Sequence, residues 1–242
     1  MTDHISTWIW QHPGWPNFTW QVAEVQPPVR ACWRDLGILL GRAGALTFTD
    51  DQDAEARATL DTLLQNIVTS SAIEGERLNV APVRSSLARR LGVEAPEGAT
   101  SPRAEGLAEL MLDATFNPDT PLDAERLFQW HRWLFPEADA ALTTQRPGQW
   151  RGVEPMQVVS GRLDRPKVHF EAPLREGLEH EVDQFLAWFE VSRHDPALDP
   201  LVRAGLAHFW FVTLHPYEDG NGRIARAIAD RALAQADQQS IR

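Results

Sequence analysis

A mainly α-helical bundle carrying one small β-hairpin is what this sequence predicts, and three observations lead there. Apolar residues recur at helical spacing over residues 29–46 and again over 54–71, where Leu60, Leu63, Leu64, Ile67 and Val68 fall on one face. The segment 200–213 contains the fully apolar run FWFV, which points to a centrally buried helix. Only residues 156–170, MQVVSGRLDRPKVHF, break the helical pattern. There two β-prone runs, MQVVS and KVHF, flank a turn containing glycine and proline, as expected of a hairpin.

The remaining elements follow in chain order. Trp8, Trp10, Trp15 and Trp20 stand among proline, glycine and asparagine, too turn-rich for one helix and too aromatic for a disordered tail. A packed N-terminal arm is expected, since the arm has almost no lysine or arginine with which to track a nucleic-acid backbone. The two periodic segments that follow read as core-facing helices. Pro82 opens a further helix, VRSSLARRLG, that stops at Gly92, and EAPEGATSPRA after it reads as a loop. A boundary is placed there, between an N-terminal region of residues 1–98 and a larger body of residues 99–242. Residues 104–116 and 123–134 are predicted helices, the second preceded by the turn signal NPDTPL, and 174–190 is a longer one.

Composition narrows the function classes. The chain has 242 residues, 43% of them hydrophobic, and a formal charge of -11, a balance that disfavours broad binding to nucleic acid or to acidic membranes. An acidic ligand would have to be met locally. Cys32 is the single cysteine, which rules out an internal disulfide and a thiolate zinc site, and a cytoplasmic protein is the expectation. The most apolar stretch, LAHFWFVTL, is too short to span a bilayer.

The densest chemistry lies in residues 215–226, HPYEDGNGRIAR, directly after the apolar helix. Gly220 and Gly222 let backbone approach an anion, and IARAIADRALAQA beyond them reads as a helix whose N-terminal N–H groups point to the same place. His215 is a candidate general base, because a near-neutral imidazole can take a proton from an attacking hydroxyl. Of Glu218 and Asp219, one carboxylate could hold Mg2+ against nucleotide phosphates. Asn221, Arg223 and Arg226 could supply directional contacts to the same ligand. Each residue also has a plainer role open to it: a structural histidine, solvated carboxylates, surface arginines, or a GNG segment that only caps a helix. The loop is neither a P-loop nor a dinucleotide fingerprint. A metal site joining His169 to His208 or His215 is disfavoured, for want of close spacing or cysteine partners.

This stretch resembles the HxFx[D/E]GNGRxxR motif of the Fic domain family of AMP transferases, with Tyr217 in the usual phenylalanine position. The resemblance implies His215 as general base, Asp219 as Mg2+ ligand, Gly220, Asn221 and Gly222 as the phosphate cradle, and Arg223 and Arg226 as holders of the distal phosphates of ATP. Upstream, SSAIEG at residues 70–75 is similar to the inhibitory [S/T]xxxE[G/N] motif of members that carry their own inhibitory helix. Ser70 and Glu74 share one helix face, and Glu74 delivered to Arg226 would compete with the γ-phosphate. By the same resemblance the hairpin is a flap that registers a target protein through backbone pairing, with Val158, Val159, Ser160, Val168 and His169 as the residues concerned. An edge hairpin that merely covers a core is the alternative. GQWRG at residues 148–152 is similar to the segment before that flap, and the Trp-rich beginning is similar to an N-terminal domain of one subgroup. Members of this layout continue with further helices after the motif, whereas sixteen residues follow Arg226 here, so a truncated catalytic region is among the readings left open.

The resemblance implies a Fic fold and transfer of AMP from MgATP to a serine, threonine or tyrosine hydroxyl of a protein, held off by Glu74. Two rivals stand beside it: removal of AMP from a modified protein with Glu74 positioning water, and a catalytically quiet regulatory or binding protein. The partner is a target protein of unknown identity, auto-modification and a homodimer are open, and neither a membrane nor a nucleic acid is expected as a partner.

Overall fold

The computed structural model describes residues 8–46, 52–94, 100–136, 146–162 and 165–240. Within them the chain forms eight α-helices and one hairpin: α1 (Val22–Leu46), α2 (Gln52–Ile73), α3 (Val80–Leu91), α4 (Pro102–Phe116), α5 (Ala124–Leu134), β1 (Gln157–Arg162), β2 (Arg165–Glu171), α6 (Leu178–Ser192), α7 (Pro200–Leu214) and α8 (Asn221–Ser240). The expected helical bundle with a small hairpin is therefore found. The boundary placed between residues 98 and 99 lies outside the described residues.

Local chemistry sets most helix limits. Ser101, Asp123 and Asp199 each turn a side-chain oxygen onto a free N–H of the first turn of α4, α5 and α7. Pro102 and Pro200 follow two of those caps, at a position where a missing N–H costs nothing. Asn79, rather than Pro82, starts α3, its Oδ1 accepting from the Ala81 N–H, and Gly92 stops it in the left-handed conformation at φ 69°. The predicted helix from residue 174 begins only at Leu178, after Gly177 at φ 84°.

The core lies between α4, α5, α7 and α8, with α6 closing against α7 and the α2–α3 pair against α4 and α8. Trp130, Phe185, Phe189, Phe211 and Ile228 are fully buried, each contributing about 1.5–3 kcal/mol by leaving water. Two buried guanidiniums stitch the helices together. Arg203 donates to Ser192 Oγ at 2.9 Å, to the Phe189 carbonyl at 2.6 Å and to Gln235 Oε1 at 2.8 Å, while Arg231 donates to the Asp113 and Thr120 carbonyls.

One expectation fails. In the part of α1 up to residue 39, Trp33, Leu36, Ile38 and Leu39 are exposed rather than core-facing, Leu39 to 62%. The helix touches the body through its first half, where Val25, Val29 and Cys32 border a groove shared with Leu201, Leu206 and Phe209 of α7. The space beside α7 that a core-facing α1 would fill is taken by the N-terminal arm. Trp15 and Phe18 of that arm pack edge-on against Trp210 at 5.9 and 5.4 Å, and Trp15 Nε1 donates to Glu181 at 3.0 Å.

Candidate nucleotide site at the α7–α8 corner

The apolar face of α7 places a polar loop at its C-terminal end. Pro216 prevents the helix from continuing, and His215 takes the left-handed conformation at φ 49°, ψ 55°. It is the one non-glycine with positive φ among the described residues, a conformation that persists only where the surroundings enforce it. Arg151 supplies that enforcement. Its side chain donates to the His215 carbonyl at 2.9 Å and to the Pro173 carbonyl, and its N–H donates to the Pro216 carbonyl at 2.8 Å. The guanidinium is almost wholly buried, and burial pushes its pKa down, with the neighbouring Arg175 adding to the effect.

The imidazole of His215 has a defined tautomer. Nδ1 lies 3.0 Å from the Val212 carbonyl, which can only accept, so Nδ1 carries the proton and Nε2 keeps its lone pair. Burial lowers the pKa against the raising influence of that hydrogen bond, so the ring is neutral near pH 7.

The glycine loop is held from beneath. Asn221 closes it by accepting the Tyr217 N–H at 2.9 Å and donating to the Tyr217 carbonyl at 2.8 Å. Gly220 sits at φ 83°, where a β-carbon would meet Leu134 and Phe135 at 2.8 Å, so glycine is required by both conformation and space. His131 of α5 lies beneath the loop: Nδ1 accepts the Gly148 N–H at 2.9 Å, and Nε2 is 3.3 Å from the Asp219 carbonyl. Its ring stacks on Tyr217 with centroids 4.1 Å apart. Burial lowers the pKa of His131 to about 4 and keeps it neutral. Tyr217 is fully buried and its hydroxyl has no hydrogen-bond partner among the described residues, consistent with a packing position where phenylalanine would serve.

Arg226 reaches out of α8 to the end of α2. Its Nε donates to Ser70 Oγ at 2.7 Å, and its Nη2 donates to the Ser70 carbonyl at 3.0 Å and to Glu74 Oε1 at 2.5 Å. Ser70, Glu74 and Arg226, separated by some 150 positions in sequence, thus form one cluster. The Glu74 carboxylate lies so close to Gly222 that a β-carbon there would collide with it. Arg223 packs over the Phe135 ring at 5.1 Å, donates to Glu76 Oε2 at 2.9 Å and approaches Asp219 Oδ1 at 3.4 Å.

These features fit an anionic phosphate ligand. A carboxylate already lies against Gly222, and the buried Nε of Arg223 has no hydrogen-bond acceptor among the described residues. No cluster of three or more metal-ligating side chains occurs among the described residues. Mg2+ suits a single carboxylate such as Asp219, because it commonly binds through one or two carboxylates together with phosphate oxygens and water. Among the described residues no helix is long and apolar enough to cross a membrane.

The flap residues stand apart from this cluster. β1 and β2 pair antiparallel, with Val159 opposite Val168 and an irregularity between Val158 and Val159. Val158, Val159 and Val168 are exposed, and Ser160 Oγ meets His169 Nε2 at 2.5 Å. The base of the hairpin is closed by the Ala172 N–H, which donates to the Met156 carbonyl at 2.9 Å just beyond the two strands. The arm holds its return strand, Trp10 Nε1 donating to the Glu171 carbonyl at 2.7 Å and Trp8 packing on Phe170.

Sequence reasoning missed four residues of this site: Arg151, His131, Glu76 and Arg103. Arg151 lay in view within GQWRG, but its burial depends on carbonyls from 22 to 65 positions away. Glu76 stands two residues beyond Glu74 and carried no separate signal.

The Fic/DOC family model matches residues 121–233, and a domain of unknown function, DUF4172, matches residues 8–93. The chain is similar to the protein adenylyltransferase Fic of Drosophila virilis, 28% identical over 182 residues covering 74% of this chain and 34% of that protein. It is also similar to the protein of the same name from Nematostella vectensis, 25% identical over 74% of this chain and 39% of that one. The chain spans about a third of the length of these curated relatives. Among solved structures, a Fic domain containing signaling protein from Bacteroides thetaiotaomicron matches with a TM-score of 0.58 and 20% identity, over 82% of this chain and 72% of that one. A Fic-1 fragment from C. elegans matches with a TM-score of 0.56 and 21% identity, over 88% and 61%. These structures share the fold, and residues 121–233, which carry the motif loop at the α7–α8 corner, match the Fic/DOC family.

Proposed function

We propose that the chain is a protein adenylyltransferase that moves AMP from ATP to a serine, threonine or tyrosine hydroxyl of another protein and is held inactive by Glu74. The observation that carries this reading is the pairing, at one corner, of a proton acceptor with a motif arginine already held by a carboxylate beside the glycine loop. His215 has its unprotonated Nε2 available, and Glu74 sits on Arg226 against Gly222.

The roles follow from those atoms. His215 Nε2 takes the hydroxyl proton as the hydroxyl oxygen bonds to the α-phosphorus, and the bond from that phosphorus to pyrophosphate breaks. The N–H groups at the start of α8, behind Gly220 and Gly222, stabilise the charge that develops on the phosphoryl oxygens. Asp219 is the residue placed to hold Mg2+, which would neutralise the phosphates and orient them. Arg223 and Arg226 hold the distal phosphates so that attack is in line. With Ser70 and Glu74 on Arg226, that alignment is blocked. The hairpin presents Val158, Val159, Ser160, Val168 and His169 to an extended segment of the target.

Intact mass after incubation with MgATP tests the reading on the chain, its Glu74→Gly variant, and that variant carrying His215→Ala. An added AMP is expected in Glu74→Gly, with loss of His215 slowing the addition by about 10²–10⁴-fold. No addition in a folded Glu74→Gly variant, even with a protein extract supplied as target, would overturn it in favour of AMP removal or a quiet binding role.

A further inference from the structure

The turn that carries Glu74 carries a second carboxylate to the same helix face. α2 ends in a paired-bond turn: the Glu76 N–H donates to the Ser71 carbonyl at 3.0 Å and the Gly75 N–H to the Ala72 carbonyl at 3.0 Å, with Gly75 at φ 76°. Those two bonds and the left-handed glycine define a helix-closing geometry that fixes the residues on either side of Gly75. Glu74 and Glu76 are those residues. Arg223 and Arg226 stand three apart on α8, on neighbouring positions of its surface. Each guanidinium thereby receives one carboxylate of the turn, Arg226 from Glu74 at 2.5 Å and Arg223 from Glu76 at 2.9 Å.

Glu76 is also braced from behind. Its Oε1 accepts from Arg103 Nε at 2.6 Å and from Nη2 at 2.5 Å, a forked pair made from the first turn of α4. The Arg223 contact uses the other oxygen, so one carboxylate is shared between two guanidiniums and its orientation is set by the fork. All three side chains are largely removed from solvent, with Arg223 only 8% exposed, so the pairs are screened less than surface ion pairs.

We infer that Glu76 is a second inhibitory carboxylate, acting on Arg223 as Glu74 acts on Arg226, with Arg103 as the residue that holds it in position. The inference rests on the reading of the corner as a nucleotide site. Two carboxylates on two arginines occupy the places of two anionic groups, so the nucleotide class that competes with the turn is one bearing phosphates beyond the first. A nucleoside monophosphate has no group to set against either arginine and is indifferent to Glu76. Removal of Glu74 alone then leaves Arg223 neutralised, and release is partial until Glu76 goes as well. Because binding and pairing exclude each other, ATP and the turn weaken one another by the same factor.

Calorimetric titration of MgATP and of AMP into the full chain tests this, using Glu74→Gly, Glu74→Gly with Glu76→Gln, and Glu74→Gly with Arg103→Gln. Adding Glu76→Gln is expected to tighten MgATP binding by about tenfold, within the usual range of coupling between competing contacts, and to leave AMP binding unchanged. Arg103→Gln is expected to act in the same direction with a smaller factor, and it serves as the reporter if Glu76→Gln disturbs folding by thermal melting. MgATP binding equal in Glu74→Gly and in its Glu76→Gln derivative would overturn the inference while leaving the nucleotide site standing. Weaker MgATP binding on Arg103→Gln would overturn it too, by making Arg103 a phosphate ligand. MgATP failing to bind any of the folded variants would remove the nucleotide reading and the inference together.

Discussion

The motif loop and the hairpin are built in opposite ways. Three polar side chains at the loop are held by hydrogen bonds: Asn221 to Tyr217, His131 to Gly148 and Asp219, and His215 to the Val212 carbonyl, with Arg151 on the His215 carbonyl. The hairpin shows solvent three valines and a Ser160–His169 pair, and its return strand is tied to Trp8 and Trp10 of the arm. The difference matches the two tasks proposed for them. A group that must meet phosphorus at a fixed angle needs preorganised support. A surface that adds a strand to a partner needs unpaired backbone and exposed side chains.

The harshest way to break the contrast is to remove the brace. Arg151→Met keeps the unbranched stem of the side chain but strips the His215 and Pro173 carbonyls of their donors, and about 3 kcal/mol of stability should be lost in denaturant unfolding. Transfer should fall further than stability, because the left-handed His215 loses what enforces it. A loss below about 1 kcal/mol would show that the loop holds itself.

A smaller effect comes from pH. The folded pKa of His131 lies near 4 and the ordinary value near 6.5, so the unfolded chain binds the extra proton first as pH falls. The contribution is complete above pH 6.5 and lost progressively toward pH 4, amounting to about 2 kcal/mol between pH 7 and 5. His131→Phe, which keeps a ring on Tyr217, should show a correspondingly flatter change in unfolding free energy over that interval. A difference between the two proteins that is the same at both pH values would refute the assignment.

Tyr217→Phe sharpens the comparison from the other side. The hydroxyl is buried without a partner among the described residues, and burial pushes its pKa well above the ordinary phenol value. Its removal should be neutral or stabilising by up to about 1 kcal/mol, read as the shift in thermal midpoint. The smallest structural effect belongs to the hairpin. Val159, half exposed, should tolerate Val159→Thr within about 0.5 kcal/mol while transfer to a protein target declines and MgATP binding stays the same. Unchanged transfer would return the hairpin to the role of a cover.

Much of this architecture was readable from residues alone where the determinants are local. Caps at Ser101, Asp123 and Asp199, the stop at Gly92 and the alternation around residues 157–171 all act within a few positions, and the helices and hairpin came out accordingly. The reading went wrong for α1, where helical periodicity is present but the matching face of α7 is covered by the arm. Periodicity states which residues share a face, and it is silent on whether that face finds a partner.

By itself, the sequence determined the corner and its inventory: an apolar helix broken at His215 and Pro216, glycines at 220 and 222, and arginines three apart on the helix that follows. Only the tertiary structure decided which nitrogen of His215 carries the proton, that Arg151 braces it, and that Glu76 joins Glu74 on the arginines. Hydrogen bonds and ion pairs act over about 3 Å, and these link residues from 60 to more than 150 positions apart, or, for the tautomer, depend on a geometry that residue identity does not encode.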